Sequence, residues 1–483
     1  MLEAQSHEQL KTLLRDSDAD WPHHLTLSRL VARSLRRRDN TLLQLPPCSR
    51  ERWWLGLLVP LCLTPGTAAL VITAAQRRRL LQVELPRLQR QGLRLPCWQG
   101  SQRPPGEQLW LMDTTELVTA FKTDQLGQRQ LILPDVDQLS HQLRKSLSVR
   151  IQPADWENLR LSHPQAESAL IELHERLTRQ LFSNATRVDA HMRLEGAASQ
   201  TLRDLLRLIA PCPSPWAELL ATDLNHWAEW AQLNHGMLQW IWHLAPLEPL
   251  ELLGGLFRHH PLLMLSSSGE ITRLDEELLM AGVDVQVTAR FREQELQEPL
   301  PLFAPRRQPL PNTEIYSQHL LEQSRRLILG RTGLTIVLLD DPSLRRQLTS
   351  ALAAEFGRRV VEECTAPEGN GVISCSWTWW LENNEQLPAP EQIIVGLLPL
   401  ASVSSPLTAT RVERLKSRGE DWFRVLLLPE ALCMIPPALA PLRQAGGRLA
   451  ILDGRLRGRA WGDQILQRLC LLYTSPSPRD SDS

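Results

Sequence analysis

Hydrophobic positions along this chain fall into two alternating patterns. Short apolar, β-branched runs stand between Pro, Gly and Asp, and longer stretches repeat apolar residues at three- and four-residue spacing, the marks of strands and helices respectively. The clearest runs are EQIIVGLLPL at 391–400, ended by Pro399, and AGGRLAILDGRL at 445–456, opened by Gly446 and Gly447 and closed by Asp453 and Gly454. Each predicts a strand buried on both faces of a parallel sheet. Between them TATRVERLKSRGEDWFRVLLLPEALCMI, 408–435, alternates apolar and charged residues as one long amphipathic helix covering such a sheet does.

The rest of the chain extends the alternation. Residues 1–40 predict two helices; 40–63 a strand, a loop and a helix; 67–88 a strand and a helix; 129–143 a strand leading into a helix. Residues 150–255 are helical in pattern and rich in Trp, with Trp227 and Trp230 on one helix face, where core packing and base stacking are both open readings. The Pro-rich stretch PLFAPRRQPLPN, 301–312, predicts a linker, and helix, strand, helix and strand follow it. The expected fold is therefore α/β: two parallel-sheet lobes with a helical stretch and a Pro-rich linker between them. The expected segments are 1–149 and 256–300 for the first lobe, 150–255 for the insertion and 301–470 for the second lobe. The ending 471–483, YTSPSPRDSDS with its preceding Leu-Leu, drops the pattern and reads as non-native.

Composition narrows the chemistry. A net charge of -1 leaves no global basic field, so nucleic-acid binding has to come from local patches. Lys occurs only at Lys11, Lys122, Lys145 and Lys416, so the cations are almost all Arg. The cysteines form no close Cys-x-x-Cys pair, which fits reduced thiols in a cytoplasmic protein. Residues 55–75 are uncharged, but Pro60, Pro65 and Gly66 break them, and they predict a buried helix, turn and strand rather than a membrane span. His226, His235 and His243 lack metal-ligand spacing.

Several pieces taken in order resemble the DinG/XPD-type DNA helicases of superfamily 2. They are Leu398-Pro399-Leu400, Pro406-Leu407, Arg411 with Glu413, Leu428-Pro429-Glu430-Ala431 as a turn, Leu452-Asp453-Gly454-Arg455 and Trp461-Gly462. The resemblance implies two RecA-like (P-loop NTPase-type) motor lobes with the helical insertion in the first, ATP-driven translocation on DNA, and a set of site positions. A phosphate-binding loop needs Gly for its backbone cradle, a Lys and a Ser or Thr for magnesium. The stretch 45–54 has no Gly and no Lys, and Trp53 and Trp54 stand where Lys and Ser or Thr belong, leaving Arg50 and Arg52 as the nucleotide-binding candidates. In the Asp-Glu-Ala-His box the residues are Pro134, Asp135, Val136 and Asp137, so Asp135 is the remaining catalytic candidate, with Arg443 for the arginine finger. Thr73 and Arg77, Ser266 and Ser267, and Trp379 and Trp380 match nucleic-acid-contacting positions. Only Cys97 lies where the family carries cluster ligands, so no iron–sulfur cluster is expected, nor any other metal site. ATP and magnesium are implied only if the family activity survives. The implied partners are single-stranded or damaged DNA and a repair or replication protein, with no membrane. An eroded pseudo-helicase, an active helicase with divergent motifs and a protein scaffold are the three readings.

Overall fold

The structure is a computed structural model and describes residues 2–15, 21–46, 52–184, 191–194, 196–267, 271–291 and 300–469. Arg50 and the ending 471–483 lie outside the described residues.

The first lobe begins with strands β1 (Thr41–Gln44), β2 (Ala68–Val71), β3 (Cys97–Trp98), β4 (Leu109–Met112) and β5 (Gln130–Leu133). The chain then leaves this sheet for four strands, β6 (Val149–Ile151), β7 (His191–Arg193), β8 (Trp227–Asn234) and β9 (Gln239–Pro246), before β10 (Leu262–Ser266) and β11 (Val287–Arg290) return to it. The sheet order is β11-β1-β10-β5-β2-β4-β3, and every pairing is parallel. Successive residues of a strand point to opposite faces. Leu43, Leu70, Ile132 and Leu263 accordingly meet helices Leu2–Arg15, His24–Arg37 and Trp54–Leu63 on one side. Leu42, Ala69, Leu131 and Met264 meet helices Thr114–Lys122, Leu139–Leu147 and Ile271–Met280 on the other. Sequence 55–75 is the buried helix Trp54–Leu63, the turn Pro65–Thr67 and β2.

The second lobe holds β12 (Leu302–Phe303), β13 (Thr335–Leu338), β14 (Val360–Glu362), β15 (Val372–Cys375), β16 (Gln392–Val395) and β17 (Arg448–Ile451), ordered β12-β17-β16-β13-β15-β14. All its pairings are parallel. The Pro-rich linker thus contributes an edge strand before it turns into the lobe. Two close approaches explain glycines in the resemblance motifs: a Cβ on Gly454 would overlap the Pro309 carbonyl, and one on Gly462 the Leu456 carbonyl.

Two expectations need correction. The insertion is not wholly helical: helices Pro153–Ser162, Glu167–Asn184 and Gly196–Ile209 pack on an antiparallel sheet of order β6-β9-β8-β7. Trp227 and Trp230 lie on a strand, not on a helix face. Trp240 and Trp242 bury one face of that sheet with Ala231, Leu233 and Leu244, because inward residues recur every second position. The sequence 408–435 is also not one helix. Helix Pro406–Ser417 ends near Gly419, whose φ of +74° suits glycine, and a π-helical turn Phe423–Leu427 runs directly into helix Leu428–Gln444. Leu428-Pro429 therefore lies within the continuous helical span Phe423–Gln444, just after its π-helical turn, and not in a turn. The span Phe423–Gln444 is long and apolar enough to cross a membrane by length and composition, but it packs Leu428, Leu432, Ile435 and Leu439 against the second sheet.

Candidate functional site

The position of a phosphate loop lies between β1 and helix Trp54–Leu63. A helix start can hold an anion because its first N–H groups lack helical partners. Here that start is closed off by two indoles: Trp53 and Trp54 stack with centroids 4.2 Å apart and planes at 25°, and are 8% and 1% exposed. They belong to the apolar cluster that includes Leu27 and Leu57. Arg52 is exposed. Burial, with the charges of Arg87 and Arg52, pushes the neighbouring His24 imidazole down to about 4. These residues do not fit a nucleotide triphosphate and its magnesium: the sequence has no Gly or Lys from 45 to 54, and the space at the helix start is filled by rings.

The box after β5 keeps a polar core with a different use. Asp137 accepts the Ser266 hydroxyl at 2.7 Å and the Ser267 backbone N–H at 2.7 Å, tying the end of β5 to the end of β10. Ser266 is 1% exposed, so its hydroxyl serves this link and does not face solvent. Asp135 is half-buried, and its side chain caps no helix. Desolvation, then the nearby charges of Asp137 and of Glu385 from the second lobe, raise it to about 7. Asp135 thus lies where the lobes meet. On the same junction Lys145 pairs with Glu382 at 2.9 Å.

The nucleic-acid candidates divide. Thr73 caps helix Ala74–Arg79: its Oγ accepts the Gln76 N–H at 3.2 Å, and Gln76 accepts the Thr73 N–H at 3.1 Å. Arg77 is paired with Glu116, which also accepts the Asp113 N–H at 2.7 Å. Trp380 is fully buried, and its indole N–H donates to the Ala438 carbonyl at 2.8 Å, so it belongs to the second lobe's core and offers no face to a base. Trp377, which the sequence reading passed over, is the other core indole, donating to the Leu397 carbonyl at 2.9 Å. Trp379, between them on helix Trp377–Asn383, is half-buried. Arg443 donates to the Leu469 carbonyl and so closes the final helix, Gly462–Arg468.

The residues that carry the resemblance do structural work. Arg411, 7% exposed, pairs with Glu430 at 2.9 Å and joins two helices of the second lobe. Both carboxylate oxygens of Glu413 accept from the Arg193 Nη1 at 2.9 Å and the Thr410 hydroxyl accepts from its Nη2 at 3.1 Å, joining that lobe to the insertion. Asp453 is fully buried and accepts the Leu398 N–H and the Arg455 guanidinium. Burial pushes the Cys62 and Cys97 thiols up to about 12. Among the described residues no three His, Cys, Asp or Glu side chains converge to hold a metal ion.

No protein-family profile and no curated protein sequence matches the chain. Solved structures do. One described as XPD helicase superposes with a TM-score of 0.61 at 9% identity, covering 93% of this chain and 98% of that one. Xpd4 of S. tokodaii gives 0.59 at 12% identity, covering 92% and 98%. An apo XPD structure gives 0.58 at 10% identity, covering 92% and 98%. The parallel sheets, their strand orders and this match over nearly the whole length agree: the chain has the α/β fold of these XPD helicase structures.

Proposed function

We propose that this protein is a DinG/XPD-like, nucleic-acid-associated pseudo-helicase with weak or no ATP hydrolysis. The observation that carries the reading is the buried Trp53–Trp54 stack at the helix start where a phosphate would sit. Pro134, which offers no side-chain ligand, and an Asp135 carboxyl raised to about 7 by burial and neighbouring carboxylates support it, since magnesium binding requires a charged acceptor at this strand end. The framework survives where the chemistry does not: Asp137 still bridges two strand ends, and Arg411, Asp453 and Arg455 still brace the second lobe. Single-stranded or damaged DNA is the proposed ligand, a repair or replication protein the proposed partner, and the cytoplasm the proposed location.

The test is thermal unfolding with millimolar ATP–magnesium, alongside ATP hydrolysis with and without single-stranded DNA. A specific site would raise the melting temperature by mass action, so the expected result is no shift and no DNA-stimulated turnover. Stimulated hydrolysis that disappears in Asp135→Ala would replace this reading with that of an active helicase. Absence of DNA binding at low salt would replace it with that of a protein scaffold.

A further inference from the structure

We propose that the exposed end of the outer face of the insertion's antiparallel sheet is a platform for single-stranded nucleic acid, with Trp230 and His243 stacking on a base and Arg150 holding an adjoining phosphate. The inference rests on the nucleic-acid-associated reading above but concerns a surface on the insertion and not the phosphate-loop position. Strand register sets it up. Arg150 on β6 pairs with His243 on β9, His243 with Trp230 on β8, and Trp230 with Arg193 on β7. One transverse row therefore runs cation, imidazole, indole, cation across all four strands. At roughly 4.8 Å per strand the row spans about 14 Å. On a four-stranded sheet that is room for about two or three bases.

The opposite face is the apolar core, so this row is turned away from it. The Trp230 and His243 rings already lie parallel, with centroids 5.2 Å apart and planes at 6°, and the Gln232 side chain holds the imidazole at 2.9 Å. Both rings are half-buried, which fixes their orientation while leaving surface exposed. Burial and the neighbouring Arg150 hold His243 down at about 4, so at neutral pH it is an uncharged flat ring. The next row adds His191 and Gln232, and neither row contains a carboxylate. Helix Pro406–Ser417 lies against β8 and β7 at one end of this face, where Ala228 is buried and Glu413 occupies Arg193, and from Trp230 and His243 outward the face stays partly exposed. Arg150, at the other edge, is exposed and pairs with no carboxylate among the described residues. Flat rings in the middle and an unpaired guanidinium at the rim match bases and phosphate respectively.

The experiment is fluorescence anisotropy of the full chain with a labelled oligodeoxythymidine and, separately, a duplex of equal length. Stacking on one aromatic typically changes affinity by about ten-fold or more, so Trp230→Ala should weaken single-strand binding at least that much and Trp230→Phe should restore most of it. Arg150→Ala should lower the slope of log affinity against log salt by about 0.7, the value for one single-strand phosphate, with no change in melting temperature. The duplex should bind more weakly, because its bases cannot leave their own stack. Equal binding of strand and duplex, or a wild-type affinity unaltered by Trp230→Ala and Arg150→Ala, overturns the platform and leaves the nucleic-acid reading standing. Failure of wild type to bind either probe at low salt overturns both.

Discussion

Asp135 and Asp137 sit two residues apart and carry opposite obligations. Asp137 accepts a hydroxyl and a backbone N–H, whereas Asp135 has been moved from the ordinary 3.8 to about 7 by desolvation and by two neighbouring carboxylates. A carboxyl raised on folding binds its proton more tightly in the native state than in the unfolded one. The native state therefore loses stability as pH rises from about 4 to about 7, and no further above that window. Asp135→Asn removes this penalty. The melting temperature of the variant should match wild type near pH 4, exceed it increasingly towards pH 7, and hold a constant advantage beyond. His24, His174 and His243, each lowered to about 4 chiefly by desolvation, act in the other direction, losing stability as pH falls below the ordinary imidazole value. They are common to both proteins, so the difference between the two melting curves isolates Asp135.

The helix Trp54–Leu63 shows how an element can keep its place while changing its work. Gly56 lets it approach helix His24–Arg37 closely, since a Cβ there would lie 2.8 Å from the Leu27 Cδ2. Trp54 supplies the bulk at its start. Trp54→Ala should cost about 3–5 kcal/mol of stability, the range for deleting a buried large ring, as measured by urea unfolding. A sequence can show such an element's type and its missing Lys, as it did here. It was less informative where periodicity is ambiguous. Trp227 and Trp230 are three apart and read as one helix face, but QWIWHL places Trp240, Trp242 and Leu244 two apart, and Asn234-His235-Gly236 marks the turn between two strands. Those two signals identify the hairpin. At 377–383 adjacency misled: a helix turns about 100° per residue, so Trp377 and Trp380 share the buried face and Trp379 does not. The capping box of Thr73 with Gln76 was legible as Thr-x-x-Gln, whereas the Arg77–Glu116 pair joins the helices that follow β2 and β4 and is set by the tertiary fold.

Across the whole molecule, three bodies meet around the single helix Leu139–Leu147. Arg144 donates to the Pro246 and Leu247 carbonyls at 3.0 Å, where the insertion ends, and Lys145 reaches Glu382 in the second lobe. The Lys145–Glu382 and Arg193–Glu413 pairs are exposed and worth at most about 1 kcal/mol each, so neither alone fixes the lobes. Arg144 is different: it is buried, with its proton weakened to about 9 by desolvation, and its hydrogen bonds anchor the return of the chain.

The insertion departs along β6 and comes back along β9, and Val149 pairs with Leu244. Paired antiparallel residues lie about 5 Å apart, so the two severed ends of the lobe would already be neighbours. The lobe does not need the insertion to span any gap, and the insertion has a core of its own. Such an arrangement makes the segment removable cargo. Replacing 152–241 by a short Asn-Gly turn should leave a chain that retains parallel-sheet circular dichroism and melts cooperatively, while the row at Trp230 is lost with the excised piece. Aggregation of that shortened chain under conditions where wild type stays monodisperse would show instead that the lobe and its guest fold as one unit.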